Sequence, residues 1–159
     1  MKFSFVARAL VIHSVVGVFW LGGLAPAGAQ AAEPKQASVE AQPVEADMHE
    51  FMEYVFQPTY KRLKQAMAAA PADGAAWKGV KSDALILAEG SNLLLFRGPD
   101  KDRAAWGEHS AAVRASGGML YQAAKKKDYA AASESYKAML TKCNACHNAF
   151  ADGEHQLSP

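Results

Sequence analysis

From residue 47 to residue 151 the apolar side chains recur at steps of three and four, and no stretch keeps the two-residue alternation of a strand. That rhythm constrains the chain more than any other feature. Each helical segment carries one apolar stripe, and in a chain without strands the stripes can be buried only against one another. The first segment runs from about Asp47 to Ala69, with Met48, Phe51, Met52, Val55, Phe56 and Leu63 on its stripe. Pro58 lies in its middle, lacks a backbone donor and crowds the carbonyl of Tyr54, which predicts a kink or two shorter helices meeting at Gln57-Pro58. Pro71-Ala72-Asp73-Gly74 is a stop followed by an N-cap. The second helix is expected from about Ala75 to Phe96, with Trp77, Val80, Ala84, Leu87 and Leu94 inward, and Arg97-Gly98-Pro99-Asp100 breaks it. The third is expected from Asp102 to Lys126, with Trp106, Val113, Gly117 and Leu120 inward; Gly117-Gly118 weakens it by about 1 kcal/mol per glycine and permits a close helix contact. Asp128 caps the fourth, which runs to about Ala151. Such helices are roughly 33–37 Å long at 1.5 Å per residue. Short loops between them predict an all-α, antiparallel up-down-up-down four-helix bundle.

The flanks read differently. Lys2 and Arg8 precede an apolar run that ends in Ala25-Pro26-Ala27-Gly28-Ala29, the pattern of a signal peptide spanning residues 1–29; cleavage after Ala31 also fits. The apolar run is short for a membrane span and lacks a stop-transfer charge cluster, so no membrane-spanning helix is expected after its removal. Residues 30–46 are poor in apolar side chains and read as a flexible linker, and residues 152–159 as a disordered tail after Asp152-Gly153. The bundle domain is then 47–151. The whole chain has 17 basic and 16 acidic residues. It has no basic patch of the kind that binds nucleic acid; Lys125-Lys126-Lys127 reads as a solvated helix end.

Export predicts an oxidising, periplasmic location, yet the only two cysteines are three positions apart, and a disulfide between them would close a tiny loop. The cysteines belong instead to Cys143-Asn144-Ala145-Cys146-His147, a C-x-x-C-H sequence that signals covalent attachment of one haem c. On a helix, Cys143 and Cys146 are neighbours that can each form a thioether to a vinyl group, and His147 turns its imidazole toward the iron. A thioredoxin-like pair would open a helix after a strand, and a structural zinc site would need a fourth ligand.

A four-helix chain with this motif near the end of its last helix resembles the cytochrome c′ / cytochrome c-556 family. The resemblance covers roughly Asp47 to Ala151 and rests on the last helix: Met139-Leu140, then Cys143 to His147, then Phe150. Two departures stand out. Ala151 occupies the place where many members carry a basic residue, so the role of that cation is not carried over. Pro58 inside the first helix marks a divergent branch.

The resemblance implies that a residue near the start of the first helix faces the iron. In one branch it is apolar and leaves the iron five-coordinate; in the other it is methionine. Height along the bundle sets aside Met67, Met119 and Met139 as core fillers. Met52 is the expected sixth ligand, being central to the inward stripe. Met48, His49, His109 and an open site are the alternatives, with both histidines expected on the rim and His155 solvated in the tail. The expected function is an electron carrier with His147/Met52 iron and transient redox-protein partners, not an enzyme. The alternative is a five-coordinate protein that binds nitric oxide or carbon monoxide. A peroxidase built on His49 and Glu53 is a third reading. Members of the family are often homodimers through their first two helices, a state that the residues of this chain leave open.

Overall fold

The computed structural model describes residues 41–159. The expected signal peptide and residues 30–40 of the expected linker lie outside the described residues. Secondary structure among these residues is entirely helical. Helix α1 (Met48–Phe51) runs into a π-helical segment (Met52–Phe56) and then α2 (Gln57–Met67); α3 (Gly74–Leu94), α4 (Arg103–Lys126) and α5 (Tyr129–Phe150) follow. None of these helices is long and apolar enough to cross a membrane.

Aspartates start three of the helices. The side chains of Asp47, Asp73 and Asp128 accept hydrogen bonds from the amides of Glu50 (3.0 Å), Ala76 (2.8 Å) and Ala131 (3.0 Å). Each satisfies a donor that the first turn leaves orphaned, worth about 1 kcal/mol.

Pro58 acts differently from a simple kink or break. The turn before it widens, and the Gln57 amide donates to the Met52 carbonyl five residues back. The wide turn accommodates the ring that would otherwise press on the Tyr54 carbonyl, and the missing Pro58 donor leaves no gap in an α-helical ladder. The Thr59 hydroxyl donates to the Val55 carbonyl at 2.8 Å, supplying a further bond at the joint. The first helical run therefore stays continuous from Met48 to Met67.

The predicted inward stripes of α3 and α4 are buried throughout, from Trp77 to Leu94 and from Trp106 to Leu120. Leu63, Val80, Leu120 and Met139 have no exposed surface and form the centre of the core. Full burial of such side chains stabilises the fold by about 1.5–3 kcal/mol each. Gly117 gives α3 and α4 their close approach: a Cβ there would lie 3.2 Å from the Ala88 Cβ and 3.3 Å from its backbone. Met119, expected in the core, is instead 55% exposed. It lies between Gly117 and Leu120, both buried, and a helix cannot turn all three inward.

Contacts at the helix ends bring distant segments together. The Trp106 indole donates to the Leu94 carbonyl at 2.7 Å, and its ring meets Phe150 edge-on with centroids 5.0 Å apart. The Tyr129 hydroxyl reaches the Met67 carbonyl at 3.1 Å. Arg62 clamps α2 to α3 through the buried carboxylate of Asp83 at 2.7 Å.

Residues 152–159, expected to be a disordered tail, fold back on the helices. The Asn144 amide and the Leu157 backbone exchange two hydrogen bonds, at 2.8 and 2.9 Å. The Tyr60 hydroxyl donates to the Ser158 carbonyl at 2.7 Å, and Leu157 packs against the core. These bonds replace water for a segment whose composition alone resembles a loose end.

Candidate functional site

A cavity of about 450 Å³ lies between the first helical run, α3, α4, α5 and the returning segment. Its size falls within the ordinary range of small-molecule and cofactor sites, roughly 300–1,000 Å³. Leu87, Leu94, Trp106, Val113, Leu140 and Phe150 make most of its wall apolar.

Helix α5 supplies the reactive groups. Cys143, Cys146 and His147 all line the cavity, because the last two turns of α5 present one face to it. Both cysteines are free thiols; Cys146 is buried and Cys143 half-buried. Burial, reinforced by the neighbouring Cys146, pushes the Cys143 thiol up to about 12, and burial raises Cys146 as well. These thiols stay protonated at neutral pH, the opposite of the depressed values of disulfide-exchanging C-x-x-C pairs.

His147 is oriented by the backbone. Its Nδ1 lies 2.9 Å from the His155 carbonyl oxygen. A carbonyl only accepts, so Nδ1 carries the proton and Nε2 keeps its lone pair. Burial lowers the His147 pKa, partly opposed by that same hydrogen bond. The imidazole is thus held neutral with Nε2 free to bind a metal.

The start of the first helical run brings Met48, His49 and Met52 to the same cavity. Met52 is the first residue of the π-helical segment, and Met48 and Met52 both pack against the small cluster of Phe51, Leu94 and Trp106. The soft sulfur of either methionine is a potential ligand for a metal bound at Nε2. His49 points largely to solvent, 69% exposed, with Nε2 3.5 Å from Glu53. His109 is outside the cavity wall and stacks edge-on against Phe150, centroids 5.8 Å apart. Met139 lines the cavity from α5 while being fully buried, and Met67 is core away from it.

Sequence reasoning did not anticipate the part played by His155, Gln156 and Leu157, which close one side of the cavity. The one hint was Leu157, an isolated apolar residue in a polar segment. Nor did it anticipate Lys61 at the wall.

No family model matches this chain, and no curated protein matches it.

Proposed function

We propose that this chain is an exported, monohaem c-type cytochrome that carries electrons in the periplasm and is not an enzyme. In this reading it belongs to the cytochrome c′ / cytochrome c-556 class, its helices forming an antiparallel up-down-up-down bundle. One observation carries the reading: both thiols of the C-x-x-C-H sequence, the His147 imidazole and Met52 line one mainly apolar cavity.

The donor set fits haem c. The Cys143 and Cys146 thiols would hold it covalently, each S–H adding across one vinyl C=C with the hydrogen going to the adjacent carbon, so that no oxidant would be needed. His147 Nε2 would supply a nitrogen ligand to the iron, and the Met52 thioether a sulfur ligand. Bound haem supplies a one-electron ferric/ferrous couple, and a thioether ligand raises its potential. The mainly apolar wall would limit water around His147 and Met52, favouring the same two donors in both oxidation states. Partners are other redox proteins, met through small and transient interfaces. Signal removal takes away Lys2 and Arg8 and leaves one more acidic than basic residue, so electrostatic steering is weak.

Mass spectrometry of the exported protein under denaturing conditions tests attachment. The expected mass exceeds that of the polypeptide by one haem, and a Cys143→Ala/Cys146→Ala variant loses that increment. A mass equal to the bare polypeptide would overturn the proposal.

A further inference from the structure

The segment that returns over α5 is held at both ends of a short arc, and the middle of that arc meets the axial histidine. The turn that follows helix α5 closes on the His147 carbonyl, which accepts from the Ala151 amide at 2.9 Å and the Gly153 amide at 3.1 Å. The chain reverses through Asp152 (φ 49°) and Gly153 (φ 78°). His155 is also left-handed, with φ 57°, a conformation that costs a residue with a Cβ roughly 1–2 kcal/mol. Its carbonyl is the one that accepts from His147 Nδ1. Beyond it the Asn144–Leu157 pair and the bonds of Ser158 to Tyr60 and Lys64 (2.8 Å) tie the segment to α5 and α2. Asn144 is one of the two variable positions inside the C-x-x-C-H sequence, so the haem-attachment turn itself anchors the strap.

We propose that residues 154–159 are a potential-setting strap: the His155 carbonyl fixes the Nδ1-protonated form of His147 and makes its Nε2 a stronger donor. A stronger donor favours the ferric state, so the strap lowers the reduction potential of the couple. Strain at His155 is held by the bonds on either side of it, the usual arrangement where a functional contact depends on an unfavourable backbone. The same segment lines one side of the cavity with Gln156 and Leu157. Asn144 and Tyr60 are positioning residues, acting on His147 only through the strap.

This inference rests on haem attachment at Cys143 and Cys146, and the experiment separates the two. Three exported proteins are compared: the full chain, a chain ending at Gly153, and Asn144→Ala. For each, bound haem is first quantified by its alkaline pyridine spectrum. The midpoint potential is then measured by redox titration, and exchange of the His147 Nδ1 proton by NMR of the ferrous protein. The full chain is expected to show a slowly exchanging Nδ1 proton. Both variants are expected to keep haem and helical circular dichroism, to exchange that proton faster, and to shift the ferric/ferrous ratio at fixed poise about tenfold toward ferrous, which is ~59 mV for one electron. Unchanged potential and exchange in haem-loaded variants would overturn the strap while leaving the haem proposal standing. Rapid Nδ1 exchange in the unaltered haem-loaded protein would overturn the strap without any variant. A full chain without haem would overturn both.

Discussion

At the scale of single residues, Met52 and Met48 are both within the cavity wall and only four positions apart. If Met52 is the sixth ligand, Met52→Ala converts the protein fully to a high-spin form that binds carbon monoxide, read from its visible spectrum. Met48→Ala stays low-spin. Tyr136 offers a test of core chemistry. Among the described residues its buried hydroxyl has no hydrogen-bond partner, and burial pushes its pKa up to about 12 from 10. An unpartnered buried hydroxyl costs roughly 1–3 kcal/mol. Tyr136→Phe is therefore expected to stabilise the protein by about 1 kcal/mol in urea titrations. The sign of its pH effect follows. Above pH 10 the unfolded phenol loses its proton before the folded one, so stability falls as pH rises from 10 to about 12. Tyr136→Phe removes that part of the slope. That Cys143, Cys146 and His147 share one face was legible, because a spacing of three and four residues sets it on a helix. The tautomer of His147 was not, since its partner is a backbone carbonyl eight residues on, whose identity no side chain encodes.

At the scale of elements, aspartate caps and Gly/Pro breakers mark helix ends well: α3, α4 and α5 begin and end within two residues of the expected bounds. The π-helical turn was hidden, because one extra residue in a run with apolar steps of three and four leaves the pattern readable as α-helix. The extra residue matters to the site. Closing the wide turn would rotate Met48 to Met52 by about 100° relative to α2. Pro58→Ala, which restores the missing donor, is expected to let the turn tighten. The measurable result is partial loss of the low-spin spectrum and new carbon monoxide binding; an unaltered spectrum would mean that the turn is set by packing rather than by Pro58. The returning segment was hidden for a different reason. Its order depends on pairings such as Tyr60 with Ser158, 98 positions apart, which local composition does not report.

At the scale of the whole molecule, the buried stripes locate the core, while close approaches decide how tightly the helices sit. Gly117 and Gly118 are adjacent but not equivalent. A Cβ at Gly118 meets nothing within 4 Å, whereas one at Gly117 presses on the Ala88 backbone. Gly118→Ala is expected to stabilise the protein by about 1 kcal/mol through helix propensity alone. Gly117→Ala forfeits that gain to a crowded interface, overpacking costing about 1–3 kcal/mol. Thermal unfolding of the two variants should rank Gly118→Ala above Gly117→Ala. One cavity brings the Cys143, Cys146 and His147 side chains of α5 together with the start of the first run, and the central claim of the proposed function is a closed, six-coordinate haem. The visible spectrum of the reduced, exported protein before and after addition of carbon monoxide tests that most directly. Sharp low-spin bands that carbon monoxide leaves unchanged are predicted; a high-spin spectrum that shifts at once on its addition, or no haem bands at all, would contradict it.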